Sequence, residues 1–430
     1  MGFWKRLGTL IRNESGNTLA IGAAAMPIII GGAGLAIDTV QISLAKRELQ
    51  RAADSAALAG AYAINHNLSS TGTARTALAQ AGATRDLQVN NDETLSTPAV
   101  IQNAPATGSY AGNANAVRVQ LTTSQTLSFF SFFNTGPAAI TVEATAALVR
   151  EGNFCMLALE DGNVPGITVT GSATVNVGCG MSTNSRSPTA ITADGASTVR
   201  ASPIMAVGGV PTSSHFGNAT LIPYSAVQID PYATLPDPAP TNCRPKFTSL
   251  PSDPTQVIGP TGNETSICYN GMDINGHVRL RPGTYYINGD NLSIGATAHL
   301  VGTGVTIVLT STNATSNPSS IAGMNVNGTP MIDLSAPTSG TFKDVLFYQD
   351  RRAPLGREVT WSGNSSVSTQ GAFYFPRSQF TYTGNAGMRA QCIQLVARTL
   401  TFTGNGEVTN NCSGTNGGSN FGATYVRLVA

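Results

Sequence analysis

The sequence predicts one transmembrane helix, then a small α+β module of pilin-like character, then a mainly β domain expected to be a right-handed parallel β-helix, with a β-sandwich as the alternative. Three observations lead there: an uncharged run of 23 residues near the start, a helical seam of alanines directly after it, and short β-prone units closed by glycine that recur beyond residue 150. The implied division is a tail at 1–14, a span at 15–37, a helix with its α+β module at 38–150 and a β-rich repeat domain at 151–430, interrupted by a Pro-rich insertion near 204–271.

Residues 15–37 contain no Asp, Glu, Lys or Arg. As a helix they would extend about 34 Å, enough for the roughly 30 Å hydrocarbon core of a bilayer. Leu19, Ile21, Pro27, Ile28, Ile29, Ile30, Leu35 and Ile37 are the expected anchor residues. A cleaved secretory signal is the rival reading; the apolar run exceeds the roughly 7–15 residues of a signal core and continues into a helical pattern, which favours an uncut anchor. Charge does not orient the span, because Lys5, Arg6 and Arg12 before it are matched by Lys46, Arg47 and Arg51 after it. A cytoplasmic N-terminus is expected instead from the cysteines and from the length of the following domain, which translocates with little regard to charge. Pro27, Gly31, Gly32 and Gly34 would loosen the helix or admit a partner helix, and simple tolerance of Gly and Pro in membrane helices accounts for them as well.

After Asp38, the residues Ile42, Ala45, Leu49, Ala52, Ala56, Ala59 and Ala63 recur at steps of three and four, the mark of one helical face. Small side chains let another backbone approach, so this face should pack on a sheet of the same chain or on a partner's helix. Residues 64–150 then read as a helix near 72–87, a strand near 116–123 with Val117, Val119 and Leu121 alternating, an aromatic stretch at 127–133 and a strand near 139–149. Phe129, Phe130, Phe132 and Phe133 divide between core packing and an exposed partner surface.

Beyond residue 150 one unit recurs: T-V-T-G-S-A-T-V-N-V, I-T-A-D-G-A-S-T-V-R, L-S-I-G-A-T-A-H-L-V, V-T-W-S-G-N-S-S-V-S, F-T-Y-T-G-N-A-G-M-R and L-T-F-T-G-N-G-E-V-T. Their glycines, Gly171, Gly195, Gly295, Gly363, Gly384 and Gly404, lie 24, 100, 68, 21 and 20 residues apart. Steps of 20 to 24, with 68 taken as three coils, suit stacked coils in which each turn buries its apolar residues against its neighbours.

Charged residues make up only 11% of the chain, against about 25% in an ordinary soluble domain, and the net charge is +1. With four lysines in all, no basic surface for nucleic acid can be assembled. Cys155, Cys179, Cys243, Cys268, Cys392 and Cys412 all follow residue 150 without C-x-x-C spacing. They suit three local disulfides in an oxidising compartment better than a zinc site, with sequential pairing a guess among 15 and unpaired buried thiols the alternative. The last pair would then join coils near a C-terminal cap.

The stretches N-E-S-G-N-T-L-A-I, M-P-I-I-I-G-G-A-G-L-A-I-D and L-A-K-R-E-L-Q-R-A-A-D-S-A-A-L-A-G-A resemble the N-terminal module of TadG-like proteins of the tight-adherence (Tad/Flp) pilus machinery. Gly16-Asn17, Pro27, Gly34, Asp38, Leu49-Gln50 and the run Ala52-Ala53-Asp54-Ser55-Ala56-Ala57 carry the resemblance over residues 13–63, with a fainter likeness over 117–149. It implies a single-pass protein of a bacterial inner membrane, with its main domain periplasmic or surface-exposed, that works in pilus assembly or surface attachment beside other pilus-assembly membrane proteins or copies of itself. Two departures narrow it. Pilin-type processing wants Glu five residues after the cleaved Gly, where Ile21 follows Gly16, and the metal motif of a von Willebrand A domain is broken at residues 333–337, where Asp333 and Ser335 stand without a second serine.

Catalytic groups are sparse. His66, His215, His277 and His299 show no metal-ligand spacing, and neither a phosphate loop nor a nucleophile elbow is present, so no cofactor, metal or small-molecule substrate is expected. The densest polar cluster holds Asp350, Arg351, Arg352, Arg357 and Glu358. By analogy with β-helical lyases and hydrolases, an enzyme acting on acidic polysaccharide is the alternative to a structural protein; charge pairing on a loop is the simpler account of the cluster.

Overall fold

The computed structural model describes residues 15–132, 136–362, 366–384, 388–390, 392–410 and 421–429. The chain forms two units, residues 1–149 with 426–430, and residues 150–425.

In the first unit the apolar run and the alanine seam are one uninterrupted helix, α1 (Ser15–Asn65), of 51 residues. Helix α2 (Gly72–Asn90) follows, and then an antiparallel sheet of β1 (Val100–Asn103), β2 (Ala116–Gln125) and β3 (Ala138–Ala158). Strand β2 alternates as its sequence predicts: Val117, Val119 and Leu121 are buried and meet Leu49, Ala52, Ala53 and Ala56 in one core cluster. Backbone proximity between the helices depends on two glycines. A Cβ at Gly60 would lie 2.9 Å from Val117 Cγ1 and 3.0 Å from the Ala79 carbonyl, and one at Gly82 would lie 2.7 Å from Ala63 Cβ and 2.8 Å from the Ala59 carbonyl. Arg75 ties the start of α2 to the loop before β2, donating to the Ala114 carbonyl at 2.8 Å and to Asn115 Oδ1 at 2.6 Å.

The second unit is built mainly of short strands that pair in parallel, most of them with a strand two or three places away in sequence. Parallel pairing over short strands sets it apart from the antiparallel sheets of a β-sandwich. Successive registers trace a single column through the stack: Ile274, Ile294, Val326, Trp361, Tyr382, Phe402, Val169 and Ala193, each opposite the next. All except Ala193, at 6% exposure, are at most 1% exposed. A period of two along each strand turns these residues inward while the flanking Thr, Ser and Asn turn out.

That column also shows that spatial order is not sequence order. The layer at residues 154–176 stacks on the last one, because Leu400 pairs with Ile167 and Val408 with Val175, and on its other side it carries the layer at 180–200. After Ile204–Ala206 and Leu221–Ile222 the chain crosses to the opposite end and begins again at Phe247–Ser249, building back toward the first layer. Three expectations change accordingly. The interval of 68 residues from Gly295 to Gly363 holds two long layers, not three: Ile294 pairs with Val326 and Val326 with Trp361, and the intermediate corner is Gly328 in V-N-G. Within 204–271 lie five strands, and the longest segment without a strand is 223–246. The last layer is interior and not a cap, since both of its faces are paired.

Cys155 and Cys179 are bonded, joining adjacent layers, as are Cys243 and Cys268. The second disulfide lies at the end layer, where Arg244 bridges in parallel to Tyr269, so it pins the chain where the stack stops. Cys392 is disulfide-bonded as well, while Cys412 and Gly363 lie outside the described residues.

Candidate functional site

Helix α1 changes character along its length. Ile21, Ile28, Ile29, Ile30, Leu35 and Ile37 are all between 48% and 77% exposed, so the helix offers an apolar surface on all sides, long enough to cross a membrane. Pro27 sits within it; the side chain of Leu19 is outside the described residues. Farther along, burial follows a single stripe of Gly34, Asp38, Ala45, Leu49, Ala52 and Ala56, with Ile42 and Ala59 half-buried on the same face. Ala53, Ala57, Ala61 and Ile64 widen it. The steps of three and four marked only the centre of this stripe, because a helix lying on a sheet covers a broader arc than a coiled-coil seam.

The upper end of the stripe is a polar anchor set in apolar surroundings. The Asp38 carboxylate, 3% exposed, accepts the backbone N–H of Phe129 at 3.1 Å and of Phe130 at 2.6 Å, at the start of the 3-10 turn Phe130–Phe132. An acidic oxygen at such a turn satisfies donors that have no partner within it. One helical turn earlier, Gly34 leaves the space that the Phe129 ring occupies. Phe129 is half-buried and Phe130 is 39% exposed; the Phe132 side chain and Phe133 lie outside the described residues.

Other polar residues of the same segment tie α1 to its own unit. Gln50 donates to Asp54 Oδ1 at 2.8 Å and to the Glu143 carbonyl on β3 at 3.0 Å, and Ser55 donates to Asp86 on α2 at 3.1 Å. Asp38→Ala would leave two part-buried N–H groups without their acceptor, so we expect a loss of about 1–3 kcal/mol in thermal or denaturant unfolding in detergent. Asp38→Asn, which retains an acceptor, should lose less. Equal stability of Asp38→Ala and wild type would show that Asp38 does not hold the turn.

In the second unit, the cluster around residue 350 is a clamp. Asp350 is fully buried; its carboxylate accepts Thr310 Oγ1 at 2.7 Å, the Arg352 backbone N–H at 3.0 Å and the Arg352 guanidinium at 2.6 and 2.9 Å. Arg351 donates to the Tyr232 carbonyl at 3.1 Å and to that of Leu235, and Arg352 donates to the Pro238 carbonyl at 2.7 Å. Tyr374 donates to Asp230 at 2.7 Å, and Tyr232 donates to Gln394. These groups fasten the Pro-rich segment around residues 230–238, whose prolines lack N–H groups and leave carbonyls to be satisfied from outside. Burial raises the Asp230 carboxyl against the opposing Tyr232 and Tyr374 hydrogen bonds, and pushes the Tyr348 phenol up to about 12. Arg357 reaches the Ile321 carbonyl and Glu358 is exposed. Asp333 sits on the outer face of a strand, opposite Val301 and Ser368.

No curated protein and no solved structure matches the chain. Residues 16–63 match the Tad family, described as Flp pilus-assembly TadE/G-like. The matched segment takes in the exposed apolar half of α1, Gly34, Asp38 and the buried alanine stripe, so the similarity to TadE/G-like pilus-assembly proteins rests on residues 16–63.

Proposed function

We propose that this chain is a membrane-anchored, non-enzymatic component of a Tad-type pilus-assembly or surface-attachment machinery. The N-terminal half of α1 lies in a bacterial inner membrane with the tail cytoplasmic, and the parallel strands form a right-handed β-helix on the oxidising side. The observation that carries this reading is the coincidence of the TadE/G-like match with a helix that is apolar and exposed over one half and packed over the other. The disulfides support the compartment. Phe130, exposed beside Asp38 at the end of the uncharged run, supports a membrane boundary there, since aromatic side chains favour such boundaries.

Asp350, the carboxylate on which a polysaccharide-cleaving enzyme would rest, is enclosed by Thr310 and Arg352, and Arg351 holds backbone carbonyls, which favours a structural role for the cluster.

The partner is a related single-span subunit of the same machinery. Ala45, Leu49, Ala52 and Ala56 face the chain's own sheet, so the contact is made by the opposite face, where Val40 is 57% and Leu44 is 49% exposed. In membranes treated with a thiol crosslinker, Val40→Cys and Leu44→Cys are expected to give adducts that disappear when the other pilus subunits are deleted, while the protein resists alkaline carbonate extraction. Adducts that persist at twice the chain mass would identify a second copy as the partner. Monomer at both positions would refute the contact, and release by carbonate would refute the anchor.

A further inference from the structure

Two of the chain's four histidines stand at one register position on neighbouring strands of the second unit. Strand His277–Leu280 pairs in parallel with His299–Gly302, His277 opposite His299, and the next strand, Met331–Ser335, places Met331 opposite His299. Val278, Leu280, Leu300, Ile332 and Leu334 are buried, so the alternation puts His277, His299 and Met331 in one outward column. His277 is exposed, His299 half-buried and Met331 53% exposed.

The two Nδ1 atoms lie 3.2 Å apart, with the rings edge to face at 78°. Two neutral imidazoles satisfy that approach only if one donates a hydrogen bond to the other; otherwise two lone pairs face each other across 3.2 Å and repel unless a cation lies between them. A metal ion about 2.0–2.1 Å from each nitrogen needs the nitrogens about 3.3 Å apart in tetrahedral geometry and about 2.9 Å apart as neighbours in the tetragonal geometry of Cu²⁺, values that bracket the spacing already present. The spacing is set by the strands, which pair through the ladder on both sides of the histidines. Thr297 donates to the Asn275 carbonyl at 2.6 Å and closes the corner just before them. Met331 adds a thioether, a soft donor, one strand further on, and Asp333 lies on the same outer face two residues beyond it. Imidazole with thioether is a donor set for copper, and the late divalent ions bind such sites in the order that places Cu²⁺ first.

We propose that His277 and His299, with Met331 beside them, form a surface copper-binding site. The remaining positions of the ion are open to water, since no third His, Cys, Asp or Glu is gathered with the pair among the described residues. The site does not depend on the anchor or on the pilus reading.

Untagged full-length protein in detergent, titrated with Cu²⁺ and followed by calorimetry and electron paramagnetic resonance, tests this. We expect one Cu²⁺ per chain with hyperfine structure from two imidazole nitrogens. His277→Gln and His299→Gln should each weaken binding about tenfold or more, while His66→Gln and His215→Gln leave it unchanged. Met331→Leu should spare Cu²⁺ and weaken Cu⁺, read by competition with a chromophoric chelator. Unchanged melting of the metal-free variants separates loss of ligands from loss of fold. Absence of stoichiometric Cu²⁺ uptake would reduce the histidines to a hydrogen-bonded pair, and equal loss in the His66 or His215 variants would place the ion elsewhere; either result overturns the site.

Discussion

Trp361→Ala is expected to destabilise the unit at residues 150–425 by about 3–5 kcal/mol, the range for removing a large aromatic from a packed core. Trp361 is fully buried, stacks on Phe373 with ring centroids 5.6 Å apart and meets Phe347 edge-on at 6.1 Å. It stands in the inner column between Val326 and Tyr382, so the cavity would open in a layer that is held mainly by its two neighbours. Equilibrium unfolding in denaturant, followed by far-ultraviolet circular dichroism in detergent, measures the loss. Trp361→Phe keeps a ring in the column and should retain most of the stability. A change below about 1 kcal/mol for the alanine variant would mean that the column is not the core of this unit.

The second large effect is expected at a corner. Gly384, Gly404, Gly171 and Gly195 follow one another through the stack, and the last three adopt positive φ of 87°, 73° and 75°. A Cβ at Gly171 would lie 2.9 Å from the Gly404 carbonyl oxygen, and one at Gly195 would lie 2.7 Å from that of Gly171. Left-handed backbone alone costs a non-glycine residue about 1–2 kcal/mol. Here the side chain also meets a neighbouring backbone that cannot retreat without unpairing a layer. Gly171→Val is therefore expected to lose more than about 2 kcal/mol, and Gly262→Ala, at φ 65° with nothing within 4 Å of the added carbon, only the conformational part. Equal losses in the same unfolding assay would show that the close approach at the corner carries no weight.

The recurrent hydrophobic-x-Gly units were legible because each repeats the same physical problem: a buried side chain followed by a turn that favours glycine. Where loops lengthened the period, at V-N-G around Gly328, the regular count failed although the local signal was present. The spatial order of the layers was not legible at all. A parallel strand edge pairs with whichever edge reaches it, and nothing in the first layer's residues says that it will receive the last layer on one side and the second on the other. For the same reason Cys392 and Cys412 read as a terminal cap, while the layer containing Cys392 is interior. The clamp at Asp350, Arg351 and Arg352 was visible as a charge cluster, but the carbonyls of the Pro-rich segment that it holds, more than a hundred residues earlier, were not.

By itself the sequence determined what depends on local pattern: an uncharged helix long enough for a bilayer, a small-residue face beside it, a TadE/G-like signature and repeated β units with little charge. Tertiary structure alone decided which groups meet across the chain. Asp38 finds the Phe129 and Phe130 amides, and His277 comes opposite His299, through contacts set by strand register and packing, quantities that no window of neighbouring residues contains.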